Sequence, residues 1–158
     1  MKRLLLMRHA KSDYPAGVSD HDRPLDRRGR LASALMGAFL EDAGMVPDLA
    51  LVSSAARAGE TWMRMRLNAP FETRSSLYHA SAAEAIEVAR SAPSTASTLL
   101  LLWHQPGIRD CANRLLGGHE VHRFPTAQIV GIGVEEEWDA LRFGAGRLLF
   151  IAPPKSLV

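Results

Sequence analysis

Apolar residues in this chain gather in short runs: Leu4 to Met7, Leu49 to Val52, Leu99 to Trp103, Ile129 to Val134 and Leu148 to Ile151. Each has the length of a strand, and runs without polar alternation predict strands buried in a sheet rather than half exposed on one. The segments between them show helical periodicity instead. A first helix is predicted from near Asp26, with Leu31, Leu35, Ala38 and Phe39 on one face; Gly44 stops it and Pro47 prevents continuation. A second runs from about Ala56 through Trp62 to Leu67. A third begins at Ser81-Ala82-Ala83-Glu84, the spacing of a reciprocal capping box, and carries Ile86 and Ala89. A fourth starts near Pro106, whose missing N–H costs nothing in a first turn, places Ile108, Cys111, Ala112, Leu115 and Leu116 on one side, and ends at Gly117-Gly118. Strands alternating with amphipathic helices predict an α/β fold, a three-layer α/β/α sandwich with a mostly parallel central sheet.

The chain's 158 residues, 47% of them hydrophobic, are enough for one substantial core, so a single domain over 1–158 is expected. Nineteen basic residues stand against seventeen acidic ones, a balance that dictates neither a nucleic-acid nor a membrane partner. Strong anion binding would have to come from a local cluster. A lone cysteine, Cys111, leaves no disulfide framework and no thiolate set for zinc, and it sits on the apolar stripe of its helix. The apolar stretch before Arg8 is too short for an export signal, and no run approaches the roughly 20 residues that cross a bilayer, so a cytoplasmic setting is expected.

In a parallel sheet flanked by helices, ligands bind beyond the carboxyl ends of the strands. Two predicted strands end alike: Leu4 to Met7 runs into Arg8-His9, and Leu99 to Trp103 into His104. A third, Leu49 to Val52, leads through Ser53-Ser54 to a helix whose first turn carries Arg57. Histidines and guanidiniums gathered at one edge suit phosphoryl transfer through a covalent histidine intermediate. Planar guanidiniums at positions 8 and 57 can hold phosphate oxygens with paired N–H donors. Their charge also depresses the pKa of a neighbouring His9, keeping one ring nitrogen free to attack, while the other nitrogen needs an acceptor that the sequence does not reveal. Arg8, Arg57 and His104 would stabilise charge on the transferred oxygens, with no metal and no other cofactor in the scheme.

These residues stand in an ordered set of motifs. Leu4 to Ser12, reading LLLMRHAKS, resembles the N-terminal Arg-His motif of the histidine phosphatase superfamily, in the form typical of its SixA-type phosphohistidine phosphatase branch. Asp20 to Leu25 with Arg28-Gly29 is similar to the loop and helix start of that branch, and Pro47 to Thr61 to its second arginine motif. Leu77 to Ala80 is similar to the segment before its third helix, His104 to Gly107 to its second-histidine motif, and Phe124 to Ala127 to the approach to a late strand. The resemblance spans nearly the whole chain and implies a phosphoglycerate mutase-like fold, a metal-independent phosphohistidine intermediate, and a phosphate pocket of Arg8, His9, Arg57 and His104. It adds Arg23 and Ser12 as substrate-binding candidates. Trp103 and Gln105 depart from the usual residues around the second histidine, and Trp103 is expected to narrow the pocket mouth. Glu60 replaces a frequent glutamine and is expected to bring an acid near Arg57.

Ester-cleaving members of the superfamily use a carboxyl group to protonate the leaving oxygen; here Asp20, His79 and Glu84 are the available groups, Glu84 also reading as the capping residue of the third helix. A phosphohistidine has a labile P–N bond and a leaving imidazole that can be protonated beforehand, so it makes less demand on a protein acid. The expected partner is therefore a phosphate-bearing substrate, a phosphohistidine protein in the leading reading. A small-molecule phosphomonoesterase and a non-catalytic phosphate-recognition module remain alternatives. Oligomeric state is left open. His119-Glu120-Val121-His122 lacks the spacing of a zinc pair and reads as a surface loop, and Gly131-Ile132-Gly133 is no dinucleotide fingerprint.

Overall fold

The computed structural model describes residues 1–157, and all five predicted strands are present: β1 (Lys2–Arg8), β2 (Leu49–Ser53), β4 (Thr98–Trp103), β5 (Ile129–Val134) and β6 (Arg147–Ala152). A further strand, β3 (Phe71–Arg74), pairs with β2 at the sheet edge. It went unpredicted because Phe-Glu-Thr-Arg has no apolar run; three of its four residues are exposed.

The sheet order is β3-β2-β4-β1-β5-β6, with β1 to β4 parallel and β5 antiparallel to both its neighbours. The central strands are buried on both faces. Leu4, Leu6, Leu49, Leu51, Leu99, Leu101 and Trp103 contribute to one core, while Leu5, Met7, Ala50, Val52, Leu100 and Leu102 contribute to the other. Period-two alternation thus feeds two cores from one set of apolar runs. Helices α3 (Ala82–Arg90) and α4 (Gly107–Leu116) cover the first core, and α1 (Arg27–Asp42) and α2 (Ala56–Met65) the second. The result is the α/β fold of a mostly parallel sheet between helical layers.

Helix ends follow local chemistry. Asp26 caps α1 by accepting from Gly29 N–H, and Ser81 and Glu84 form both bonds of the capping box on α3. Gly117, in the left-handed conformation, closes α4.

The predicted face of α1 is rotated from the observed one. Its buried residues are Gly29, Ser33, Met36, Gly37 and Leu40, whereas Leu31 is 63% exposed, Ala38 is exposed, and Leu35 and Phe39 are only partly covered. The cause is close backbone approach. A Cβ on Gly37 would sit 2.1 Å from the Met65 carbonyl oxygen of α2, and one on Gly29 equally close to that of Lys11. Small residues therefore mark the contact face, and counting apolar bulk misses it. No helix among the described residues is long and apolar enough to cross a membrane.

Candidate active site

β1, β4 and β2 are parallel and adjacent, with Arg8 opposite Trp103 and Val52 opposite Leu102, so their carboxyl ends deliver His9, His104 and Ser53 to one edge. α2 brings Arg57 from its first turn. These groups surround a pocket of about 340 Å³ lined by Arg8, His9, Ser12, Arg23, Arg57 and His104, together with Lys11, Tyr14, His79, Gln105 and Thr126. Every side chain predicted to hold phosphate lies in that lining.

The acceptor that the sequence left unnamed is a backbone atom. His9 Nδ1 lies 2.7 Å from the carbonyl oxygen of Ala10; a carbonyl only accepts, so Nδ1 carries the proton and Nε2 keeps the lone pair. Ala10 is itself fastened, its N–H donating to Thr61 Oγ1 at 2.9 Å while the Thr61 hydroxyl donates to the Arg57 carbonyl at 2.7 Å. Burial pushes the His9 pKa from its ordinary 6.5 down to about 4; the positive charges of Arg57, Arg8 and Arg23 act in the same direction, against the opposing effect of the Ala10 bond. His9 is thus a neutral base at physiological pH.

His104 sits with its ring centroid 5.1 Å from that of His9, and its Nε2 is 2.7 Å from Ser53 Oγ. Ser53 Oγ also accepts from Ala55 N–H at 3.3 Å. Burial, then the neighbouring His9 and Arg57, lowers the His104 pKa to about 3, so the ring is neutral. The donor between Ser53 Oγ and His104 Nε2 follows the ring's tautomer; with the hydroxyl as donor, the proton of His104 sits on Nδ1. That nitrogen is buried and has no partner within the described residues, as have Arg8 Nε and Arg57 Nε. Buried donors without acceptors cost free energy unless a ligand supplies one. All three belong to side chains around His9, an arrangement suited to a tetrahedral oxyanion.

The arginines are held differently. Arg8 donates from one terminal nitrogen to the Phe124 carbonyl at 2.9 Å. Arg57 is 4% exposed and donates to the Asp20 backbone oxygen at 2.8 Å and its carboxylate at 3.3 Å. Arg23 donates to Ser12 Oγ at 2.8 Å and to Asp20 Oδ1 at 3.2 Å, and stacks 4.0 Å over Tyr14. Asp20, on a short 3-10 turn, is therefore the carboxylate that orients both Arg57 and Arg23. Tyr78 adds its hydroxyl at 2.5 Å. That bond first, then the charges of Arg57 and Arg23, lowers the Asp20 pKa to about 2, so it holds no proton to donate at neutral pH.

Two sequence-based expectations fail here. Glu60 does not reach Arg57: it accepts from Leu25 N–H at 2.8 Å and pairs with Arg64 at 3.3 Å, stapling the loop after His9 to α2. Trp103 does not narrow the mouth, because strand alternation turns it into the α3–α4 core with no exposed surface. Of the candidate acids, Glu84 is engaged in its capping box and Asp20 is ionised, which leaves His79 as the one in the pocket lining. His79 has φ +60° and stacks on Tyr78 with centroids 3.9 Å apart. His119 and His122 are exposed on a loop, and among the described residues no group of three His, Cys, Asp or Glu side chains is placed to hold a metal. Sequence reading missed Thr61, Ser53 as the partner of His104, and Asp20 as the partner of Arg57. Only the i, i+4 spacing of Arg57 and Thr61 on one helix signalled any of these.

No family model matches the chain. An uncharacterised protein of Mycobacterium tuberculosis is 32% identical over 158 residues, covering 94% of this chain and 100% of the relative. Another, from Mycobacterium leprae, is 30% identical over 161 residues, with the same coverage of each chain. Among solved structures, one from Nakamurella multipartitia that carries the name phosphohistidine phosphatase SixA superimposes with a TM-score of 0.91 at 27% identity, covering 97% of this chain and 96% of the other. The fold is also shared with a protein histidine phosphatase SixA solved with tungstate, TM-score 0.86 at 23% identity, covering 99% of both chains. With its ordered motifs and its two-histidine, two-arginine pocket, the chain belongs to the SixA-type branch of the histidine phosphatase superfamily and is a phosphatase.

Proposed function

We propose that the protein is a single-domain, metal-independent enzyme that removes phosphate from a phosphohistidine on a protein in the cytoplasm, through a phosphohistidine intermediate on His9. The carrying observation is the bond from His9 Nδ1 to the Ala10 carbonyl, which leaves Nε2 unprotonated among guanidiniums. Nε2 attacks phosphorus and the P–N bond to the substrate imidazole breaks, the leaving nitrogen departing with a proton already on the ring. Water then attacks the phosphorus on His9, restoring the free imidazole and releasing inorganic phosphate.

Arg8, Arg57 and His104 Nδ1 donate to the three equatorial oxygens through transfer, with no reorganisation at the moment of reaction. Arg23, steadied by Ser12, meets the substrate at the rim. The tungstate held by a SixA relative is a tetrahedral oxyanion of the kind this donor set fits. An ionised Asp20 and a capping Glu84 leave no carboxyl acid for an ester oxygen, which favours a leaving group that brings its own proton.

His79 in the pocket lining favours one second reading, a small-molecule phosphomonoesterase with the His79 imidazole as leaving-group acid. Hydrolysis of a chemically histidine-phosphorylated protein and of an aryl phosphate ester, by wild type and His9→Ala with EDTA present, separates the two. Preference for the phosphoprotein with a dead variant supports the proposal. Preference for the ester, lost in His79→Ala, moves the assignment to the second reading, and phosphate binding without turnover of either would make the protein a recognition module.

A further inference from the structure

A second concavity, of about 630 Å³, lies beside the catalytic pocket and shares Gln105 with it. Its floor is the solvent face of α4. Arg109 and Asn113 lie four residues apart on α4, with Gln105 before the helix and Gly117 at its end completing the row. Arg114 and Phe143 form the wall, with the guanidinium 4.2 Å over the ring. Both flanks are tied to α4. The Asn113 side chain exchanges two hydrogen bonds with Val121, at 2.9 and 3.0 Å, which fixes the loop carrying His119. On the other side Gly144 N–H donates to the Arg114 carbonyl at 2.9 Å, fixing the loop that carries Phe143. The groove is therefore preformed, as recognition surfaces commonly are.

Its charge is uneven. Arg109 and Arg114 face Asp110 as the only carboxylate in the lining, and the adjoining pocket adds Lys11 and Arg23. Asp110 neutralises little, lying 3.8 Å from Arg114 with both groups about half exposed.

We infer that this groove along α4 docks an acidic segment flanking the phosphorylated histidine of the protein substrate, so that sequence around the modified residue contributes to selection. The inference rests on the phosphohistidine-protein reading above. Because the two concavities meet at Gln105, a chain whose phosphohistidine enters the pocket can continue into the groove, where complementary charge would steer the encounter.

The test uses three probes: free phosphohistidine, a synthetic peptide with one phosphohistidine flanked by glutamates, and the same peptide flanked by glutamines. Wild type should favour the glutamate peptide by about tenfold in kcat/KM, an advantage that shrinks as salt rises. Arg114→Glu, and independently His119→Glu on the exposed loop, should each reduce that advantage while turnover of free phosphohistidine, the control for folding, stays within about twofold of wild type. Equal rates on the two peptides, or a preference that survives in both variants, would overturn the docking inference and leave the proposed activity standing. Stronger inhibition by a DNA oligonucleotide than by the unphosphorylated glutamate peptide would overturn it in favour of a nucleic-acid surface. Turnover of an aryl phosphate but of no phosphohistidine probe would remove both readings together.

Discussion

At the scale of single residues, the site depends on which nitrogen of each histidine is free. For His9 the answer is a backbone carbonyl 2.7 Å away, and a backbone acceptor has no letter in the sequence. That Arg8, His9, Arg57 and His104 would meet at one edge was legible, because Arg8 closes β1, His9 and His104 follow strands, and Arg57 lies in the first turn of α2. Asp20, Ser53 and Thr61 were not legible, because their importance lies in partners distant in the chain. NMR titration of the His9 ring should give a midpoint near 4 rather than 6.5; a midpoint near 6.5 would mean that neither burial nor the arginines act on it. His104→Ala should lower kcat by roughly 10²–10³-fold, the typical cost of one oxyanion donor, and Ser53→Ala by less, since it frees the ring without removing it. Thr61→Val keeps the shape but leaves Ala10 N–H buried without its partner. It should cost about 1–3 kcal/mol in denaturant unfolding and lower kcat as the His9 acceptor loosens.

At the scale of elements, the readable parts were those whose chemistry is local: apolar runs, the capping box of α3, the Gly117 stop of α4. β3 was invisible because an edge strand needs no apolar face, and the orientation of α1 was misread because glycines form its contact line. Gly37→Ala tests that account. The added methyl would meet the Met65 carbonyl at 2.1 Å, so α1 and α2 must separate, and the variant should lose about 1–3 kcal/mol, seen as a lower Tm. An unchanged Tm would place the contact elsewhere. Since α2 carries both Arg57 and Thr61, some loss of kcat should accompany the loss of stability.

For the whole molecule, the buried neutral histidines set an acid limit. An unfolded His9 or His104 takes up a proton near 6.5, whereas the folded ones resist until about 4 and about 3. Between those values the unfolded state binds more protons, so the stability present above 6.5 is lost progressively as pH falls. The loss is on the order of 3 kcal/mol for His9 alone. Urea midpoints measured from pH 7 to pH 4 should decline, and doing so less in His104→Gln would assign part of the slope to that ring.

Strand order carries a consequence in time. β1 is made first, yet its neighbours in the sheet are β4 and β5, which come from residue 98 onward. The nucleophile therefore leaves the ribosome long before the strand that delivers His104. Pairing so distant in sequence closes slowly. Phosphatase activity should consequently be absent from nascent chains and arise in one step, when the late strands close around the first.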